Sequence, residues 1–225
     1  VIELPAIQLA PYRDNPALEE AVSQLACYQW VAFTSIEGVR VFFDFLRERR
    51  VDLRGLSNLR FAAIGPGTRR ELESRGIFAD LMPDSYYAKD LGEALAAQMQ
   101  PGERVLLPRA KIGSPELTAV LREHGIEFTD VALYDTLYAC HNSAAVQKLI
   151  EKGKVSCVTF TSASTVRGFA GAMDGCDLHH LLAACIGEKT AQAAREAGMQ
   201  VIVSQKATID SLCELIVQNA DRLRL

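Results

Sequence analysis

Little in this 225-residue chain is in excess, and each scarcity removes a class of protein. Six cysteines (Cys27, Cys140, Cys157, Cys176, Cys185 and Cys213) are too sparse for a disulfide scaffold, and none forms a Cys-x-x-Cys pair. Several lie in apolar runs, as in Ser156-Cys157-Val158 and Ala184-Cys185-Ile186, where a free thiol behaves as a small hydrophobe. The expected setting is therefore reducing, that of the cytoplasm. No apolar stretch approaches the roughly 18 residues of a membrane span. Basic charge is also lacking: 24 Lys and Arg face 28 Asp and Glu, a net charge of −4, so no nucleic-acid partner is expected. No signal-peptide layout is found, and the chain opens at Val1 without a methionine, as a fragment of a longer polypeptide does.

What is present is alternation. Apolar runs at 1–4, 30–33, 61–64, 104–107, 131–134, 155–160, 182–186 and 201–203 read as strands. Helical patterns lie between them, at 16–27, 37–49, 68–75, 91–99, 115–124, 143–152, 165–172, 189–197 and 209–223, several ending at a glycine such as Gly76 or Gly198. Strand and helix in turn predict an α/β protein with mostly parallel sheets. The chain also repeats itself. Val31-Ala-Phe-Thr-Ser35 returns 127 positions on as Val158-Thr-Phe-Thr-Ser162, and Ala63-Ile-Gly-Pro-Gly-Thr68 returns 122 positions on as Cys185-Ile-Gly-Glu-Lys-Thr190. Two similar lobes are expected.

In open parallel sheets, ligands bind beyond the carboxyl ends of the strands. Each half places two loops there: Thr34-Ser35 and Gly65–Thr68 in one, Thr161-Ser162 and Gly187–Thr190 in the other. Each sets hydroxyls and backbone N–H groups at a helix start, where an anion is favoured. The plainer reading of any one loop is that its Ser or Thr caps its own helix. Four such loops at matched places, facing each other across two lobes, point instead to a large polyanion.

Sharper motifs are missing. Gly187-Glu-Lys-Thr190 lacks the order and the earlier glycine of a phosphate-binding loop, and Gly65-x-Gly67 lacks the third glycine of a dinucleotide fingerprint. Cys176-x-x-His179-His180 has no second ligand pair, so neither a metal nor a cofactor is expected. Tyr134, between the halves, is the remaining candidate for acid chemistry, against the alternative of a junction tyrosine with a satisfied hydroxyl. Arg109 and Lys111 follow a strand end and suit carboxylates, or are ordinary loop cations.

The ordered set Phe33-Thr-Ser35, Ile64-Gly-Pro-Gly-Thr68, Leu106-Leu-Pro-Arg109, Tyr134-Asp-Thr136, Phe160-Thr-Ser162 and Ile186-Gly-x-x-Thr190 resembles the uroporphyrinogen-III synthases over nearly the whole chain. That resemblance implies two flavodoxin-like lobes with parallel sheets, joined by a two-stranded connector. Residues 1–5 with 140–225 would form one lobe, 12–132 the other, and 6–11 with 133–139 the connectors. It implies a cofactor-free lyase that takes hydroxymethylbilane, a linear tetrapyrrole with eight carboxylates, to uroporphyrinogen III through a spirocyclic intermediate, inverting ring D. Tyr134 would assist departure of the hydroxyl. Thr34, Ser35, Thr68, Thr161, Ser162 and Thr190 would bind substrate, as would Arg109. Glu188 stands where a proline is common, a departure in the loop of Thr190. The expected protein is monomeric, fused to or working beside a uroporphyrinogen methyltransferase. The competing reading is a non-enzymatic two-lobed binder of an anionic small molecule.

The repeat carries one more expectation. The 127-residue offset aligns Val1–Leu4 with Phe128–Val131, which is preceded by a strand at 104–107 and a helix at 115–124 that the first copy lacks. A strand–helix unit of roughly two dozen residues is expected upstream, by the usual size of such units.

Overall fold

The computed structural model describes residues 1–138 and 143–220. The chain divides into a central unit, Leu9–Asp135, and a split unit, Val1–Gln8 with Thr136–Leu225. It passes between them within strand β1 (Ile7–Pro11) and again within β5 (Glu127–Tyr138). The connector expected at 6–11 and 133–139 covers much of these two strands; position 139 and the boundary at Cys140 lie outside the described residues.

The central unit is a parallel sheet with helices on both faces. Its strands β2 (Trp30–Phe33), β3 (Arg60–Ala63), β4 (Arg104–Ala110) and β5 stand in the order β5-β4-β2-β3, all parallel, with β1 beyond β5. Strand alternation decides the two cores. Val31, Phe33, Phe61 and Leu106 point to one face, where α2 (Ile36–Glu48) supplies Val39, Phe42 and Leu46. Trp30, Ala32, Val105 and Leu107 point to the other, beneath Leu91 and Leu95 of α4 (Ala88–Gln98) and Leu117 and Leu121 of α5 (Pro115–Glu123). Phe42 packs edge-on against both Phe33 and Phe43, each with ring centroids 5.5 Å away. Such pairs add about 0.5–1.5 kcal/mol beyond their burial. The remaining helices, α1 (Pro16–Ser23) and α3 (Pro66–Glu73), both begin with proline, whose missing N–H costs nothing there.

The split unit holds a separate three-stranded parallel sheet, β6 (Cys157–Phe160), β7 (Leu182–Cys185) and β8 (Gln200–Val203), in that order. Its helices are α6 (Ser143–Glu151), α7 (Ala163–Ala172), α8 (Glu188–Glu196) and α9 (Ile209–Gln218). Phe160, Val166, Phe169, Ala183 and Ala194 centre its core. Among the described residues, no helix is long and apolar enough to cross a membrane.

The repeat holds at the level of backbone angles. Ser35 before α2 has φ/ψ of −161°/155° and Ser162 before α7 has −159°/157°. Gly65 before α3 and Gly187 before α8 match as closely, at −168°/177° and −174°/173°. Gly76 and Gly198 close the second helix of each copy at φ of 78° and 85°, a left-handed conformation that side chains resist.

One expected strand is absent. Residues 1–4 form no ladder; Val1 and Ile2 are exposed, and only Leu4 and Ala6 reach the core of the split unit. Apolar character gave the wrong reading because a strand also needs a partner edge. Ala6 instead lies against α7, where a side chain at Gly168 would collide with the Ala6 carbonyl oxygen. The helix expected to run to 27 shortens, since Leu25–Cys27 is a single 3₁₀ turn after α1; α9 ends at Gln218, and the expected helical positions 221–223 lie outside the described residues.

Candidate active site

In the central unit the carboxyl ends of β2, β3, β4 and β5 deliver Thr34-Ser35, Gly65–Thr68, Arg109 and Tyr134. Ser35 is held first by its helix: its Oγ accepts a 2.9 Å hydrogen bond from the Gly38 N–H and so caps α2. The same Oγ lies 2.9 Å from the Tyr134 hydroxyl, and either group can donate. Strand β5 brings Tyr134 to this place with only 5% of its surface exposed. Burial pushes the phenol above its ordinary pKa, the Ser35 hydrogen bond pulls it partly back, and the charge of Glu37 raises it again. At neutral pH Tyr134 is therefore a protonated donor.

The loop after β3 has a different character. Gly65 precedes α3 and no side chain caps that helix, so its N-terminal dipole and first-turn amides face outward from the end of the sheet. Thr68, in the first turn, is buried. The split unit reproduces both loops. Ser162 caps α7 by accepting from the Thr165 N–H at 3.2 Å, while α8 begins after Gly187 with no side-chain cap and with Thr190 buried. Thr161 is exposed and Thr34 half-buried.

Arg109 occupies a different setting from the other candidates. It is 6% exposed; Nε and Nη2 donate to the two carboxylate oxygens of Asp130 at 2.7 and 2.5 Å, and Nη1 donates to the Ser114 carbonyl at 2.8 Å. A side chain at Gly113 would meet the guanidinium at 2.5 Å, so the loop after β4 closes directly over it. These bonds tie β4, β5 and that loop together. Lys111, by contrast, is exposed and reaches Asp135 at 3.2 Å, which also accepts from the Tyr12 hydroxyl at 3.5 Å. The carboxylate and the Tyr12 hydroxyl both raise the pKa of the ammonium.

Sequence reasoning did not find Asp130 or Asp135. Asp130 stands opposite Leu107 across the β4–β5 ladder, two places before the partner of Arg109, and only the strand register reveals that pairing. Among the described residues, no group of three His, Cys, Asp or Glu side chains is arranged to hold a metal ion.

Residues 1–214 match the family model described as uroporphyrinogen-III synthase HemD. A porphyrin biosynthesis protein HemD from Ruminiclostridium josui is 36% identical over 217 residues, 96% of this chain and 43% of that protein. A uroporphyrinogen-III synthase from Synechococcus elongatus is 27% identical over 97% of this chain and 85% of its own length. Thus the chain spans under half of the first relative and most of the second. Among solved structures, the synthetase from Helicobacter pylori superposes with a TM-score of 0.67 at 22% identity, covering 95% of this chain and 90% of that one. A mutant synthase from Thermus thermophilus gives 0.65 at 19% identity, covering 97% and 87%. Those structures speak for the fold, and the sequence matches decide the lineage: the chain belongs to the uroporphyrinogen-III synthase family.

Proposed function

We propose that this chain is a lyase that closes hydroxymethylbilane to uroporphyrinogen III with loss of one water and inversion of ring D, acting as a cytoplasmic monomer without a cofactor. The observation that carries the reading is the Tyr134–Ser35 pair: a buried phenol, kept protonated, held by a hydroxyl that is itself fixed at a helix start. The reaction begins by breaking a C–O bond at the hydroxymethyl terminus. Tyr134 is placed to give its proton to the departing hydroxyl, which leaves as water. The carbocation-like azafulvene that remains is attacked by the α-carbon of ring D that already carries the bridge, which gives the spirocyclic intermediate. The older bridge bond to that carbon then breaks, the bridge carbon re-forms a bond to the free α-carbon of ring D, and the proton this carbon loses as the ring D pyrrole regains aromaticity restores the phenol. The substrate ionises readily, so most of the protein's task is to hold one folding of a flexible chain.

Eight substrate carboxylates ask for many anion sites, which Thr34, Ser35 and Thr68 at the central unit's helix starts supply, with Thr161, Ser162 and Thr190 at the equivalent positions of the split unit. Arg109 serves this site through its loop rather than by direct contact, because its donors are turned to Asp130 and Ser114. The R. josui match to under half of a longer protein supports a fused arrangement for this family, and a uroporphyrinogen methyltransferase is the partner we propose here.

The test is to incubate freshly made hydroxymethylbilane with the protein and separate the uroporphyrin isomers. Isomer III is expected; isomer I alone would leave the chain a binder. Tyr134→Phe should slow turnover by about a hundredfold, the low end of general-acid assistance, with the fold intact. A folded Phe variant at the wild-type rate removes Tyr134 from the chemistry.

A further inference from the structure

The central unit's site carries apolar side chains that its fold does not require. Ile36 opens α2 and is 40% exposed; Tyr86, in the loop before α4, is 37% exposed. Both are drawn to the uncapped start of α3. A side chain at Gly67 would come 3.2 Å from Ile36 Cδ1, and one at Gly65 would come 3.3 Å from the Tyr86 ring. The two glycines thus let Ile36 and Tyr86 close on the helix start from two sides. Following the carboxyl edge of the sheet, the order is Tyr134 hydroxyl, Ser35 hydroxyl, Ile36, the Gly65–Gly67 backbone, then the Tyr86 ring.

The second copy serves as a built-in control. Its α7 begins at Ala163 where α2 begins at Ile36, and the position two before α9 is Ala207 where the position two before α4 is Tyr86. Lys189 stands in place of Gly67. The same fold is built there with small side chains, so packing alone does not call for the large pair. An isoleucine at a first helical position has no propensity advantage, and an exposed ring loses hydrophobic free energy.

We propose that Ile36 and Tyr86 are substrate-holding residues that grip the flat face of one pyrrole ring, while its carboxylate side chains reach the amides at the start of α3. Alternating apolar walls and anion donors match a ligand in which each aromatic ring bears carboxylates. This inference rests on the cyclase reading and assigns the ring-binding part of that site. An aromatic contact of this kind is worth about three- to tenfold in affinity.

Four variants test it in the intact chain. Tyr86→Ala should raise KM about three- to tenfold, lower kcat less, and increase the share of isomer I, because loosely held substrate escapes and cyclises unaided. Tyr86→Phe keeps the ring face and should restore KM; Ile36→Ala should behave as Tyr86→Ala does. Tyr86→Trp adds a reporter whose fluorescence should be quenched on anaerobic addition of uroporphyrinogen III, against the background of buried Trp30 at the opposite end of β2. Wild-type KM and isomer ratio in a folded Tyr86→Ala, or no quenching in the Trp variant, overturns the proposal while the enzyme still makes isomer III. Failure of the wild type to make isomer III instead overturns the cyclase reading, and quenching then still reports ring binding.

Discussion

Replacing Arg109 with methionine separates a residue that binds ligand from one that holds the fold. Its guanidinium makes three hydrogen bonds, two of them to a carboxylate, and its side chain is 7% exposed. Methionine keeps the stem and removes all three. Hydrogen bonds to charged groups contribute about 1.5–3 kcal/mol each when buried, and stripping one partner from a buried ion pair costs about 3–5 kcal/mol. Asp130 is 37% exposed, so water recovers part of the loss on its side. The net cost is therefore set at about 2–4 kcal/mol, with a fall in Tm of about 5–12 °C for a chain of this size.

Trp30 is the single tryptophan and is fully buried in the central unit, so its fluorescence in a urea titration reads that unit's unfolding. Asp130→Asn should cost less than Arg109→Met, and the double variant should show a favourable coupling between the two sites. Lys111→Met is the exposed control and should leave the unfolding midpoint close to that of wild type. Should Arg109→Met stay within about 0.5 kcal/mol of wild type while KM rises tenfold, the guanidinium would belong to the ligand and the account of the pinned loop would be wrong.

Three further expectations follow from other parts of the molecule. A spectrophotometric titration of wild type minus Tyr134→Phe should show one phenol ionising above the ordinary value of about 10; as unfolded tyrosine ionises first, this group's contribution to stability is full below that pH and is lost as pH rises further, and a difference curve centred at or below 10 refutes the burial argument. Thiol labelling of the native protein should mark exposed Cys27 and Cys213 before Cys185, which is buried with its pKa pushed up to about 11, and early labelling of Cys185 would contradict its place in the core. Strand β6 has one ladder neighbour among the described residues and an exposed Thr159, whereas β2 is buried throughout; α9 leaves Ile209 and Val217 exposed where α4 packs on α5. The β6 amides should therefore exchange faster than the β2 amides, and equal protection of the two strands defeats the idea.

The elements legible in the sequence are those whose signal is local. Val31 to Phe33 and Phe61 to Ala63 could be placed because apolar runs bounded by helix starts need no knowledge of their neighbours. The repeat could be placed because two copies of one local pattern confirm each other. Residues 1–4 misled for the opposite reason, since nothing local says whether an apolar run has an edge to pair with. Arg109 illustrates the same limit for side chains. Its position after a strand suggested carboxylate binding, and it does bind a carboxylate, but the one supplied by Asp130 through a register that no motif encodes.

Ser35 shows why the choice between capping and chemistry was too narrow. A serine hydroxyl has one proton to give and two lone pairs to offer. One lone pair is taken by the Gly38 amide at 2.9 Å, which fixes the rotamer and anchors the oxygen at the end of β2. Either the proton or the second lone pair is then directed at Tyr134, 2.9 Å away. Capping therefore orients the hydroxyl and does not consume it. Ser162, with the same backbone angles and the same cap, spends its proton on Thr165 Oγ1 at 3.3 Å instead. Two copies of one motif thus differ in what the remaining valence touches. In the central unit it is a buried phenol, and that difference, invisible in Phe-Thr-Ser read twice, is where the acid chemistry of the proposed reaction is placed.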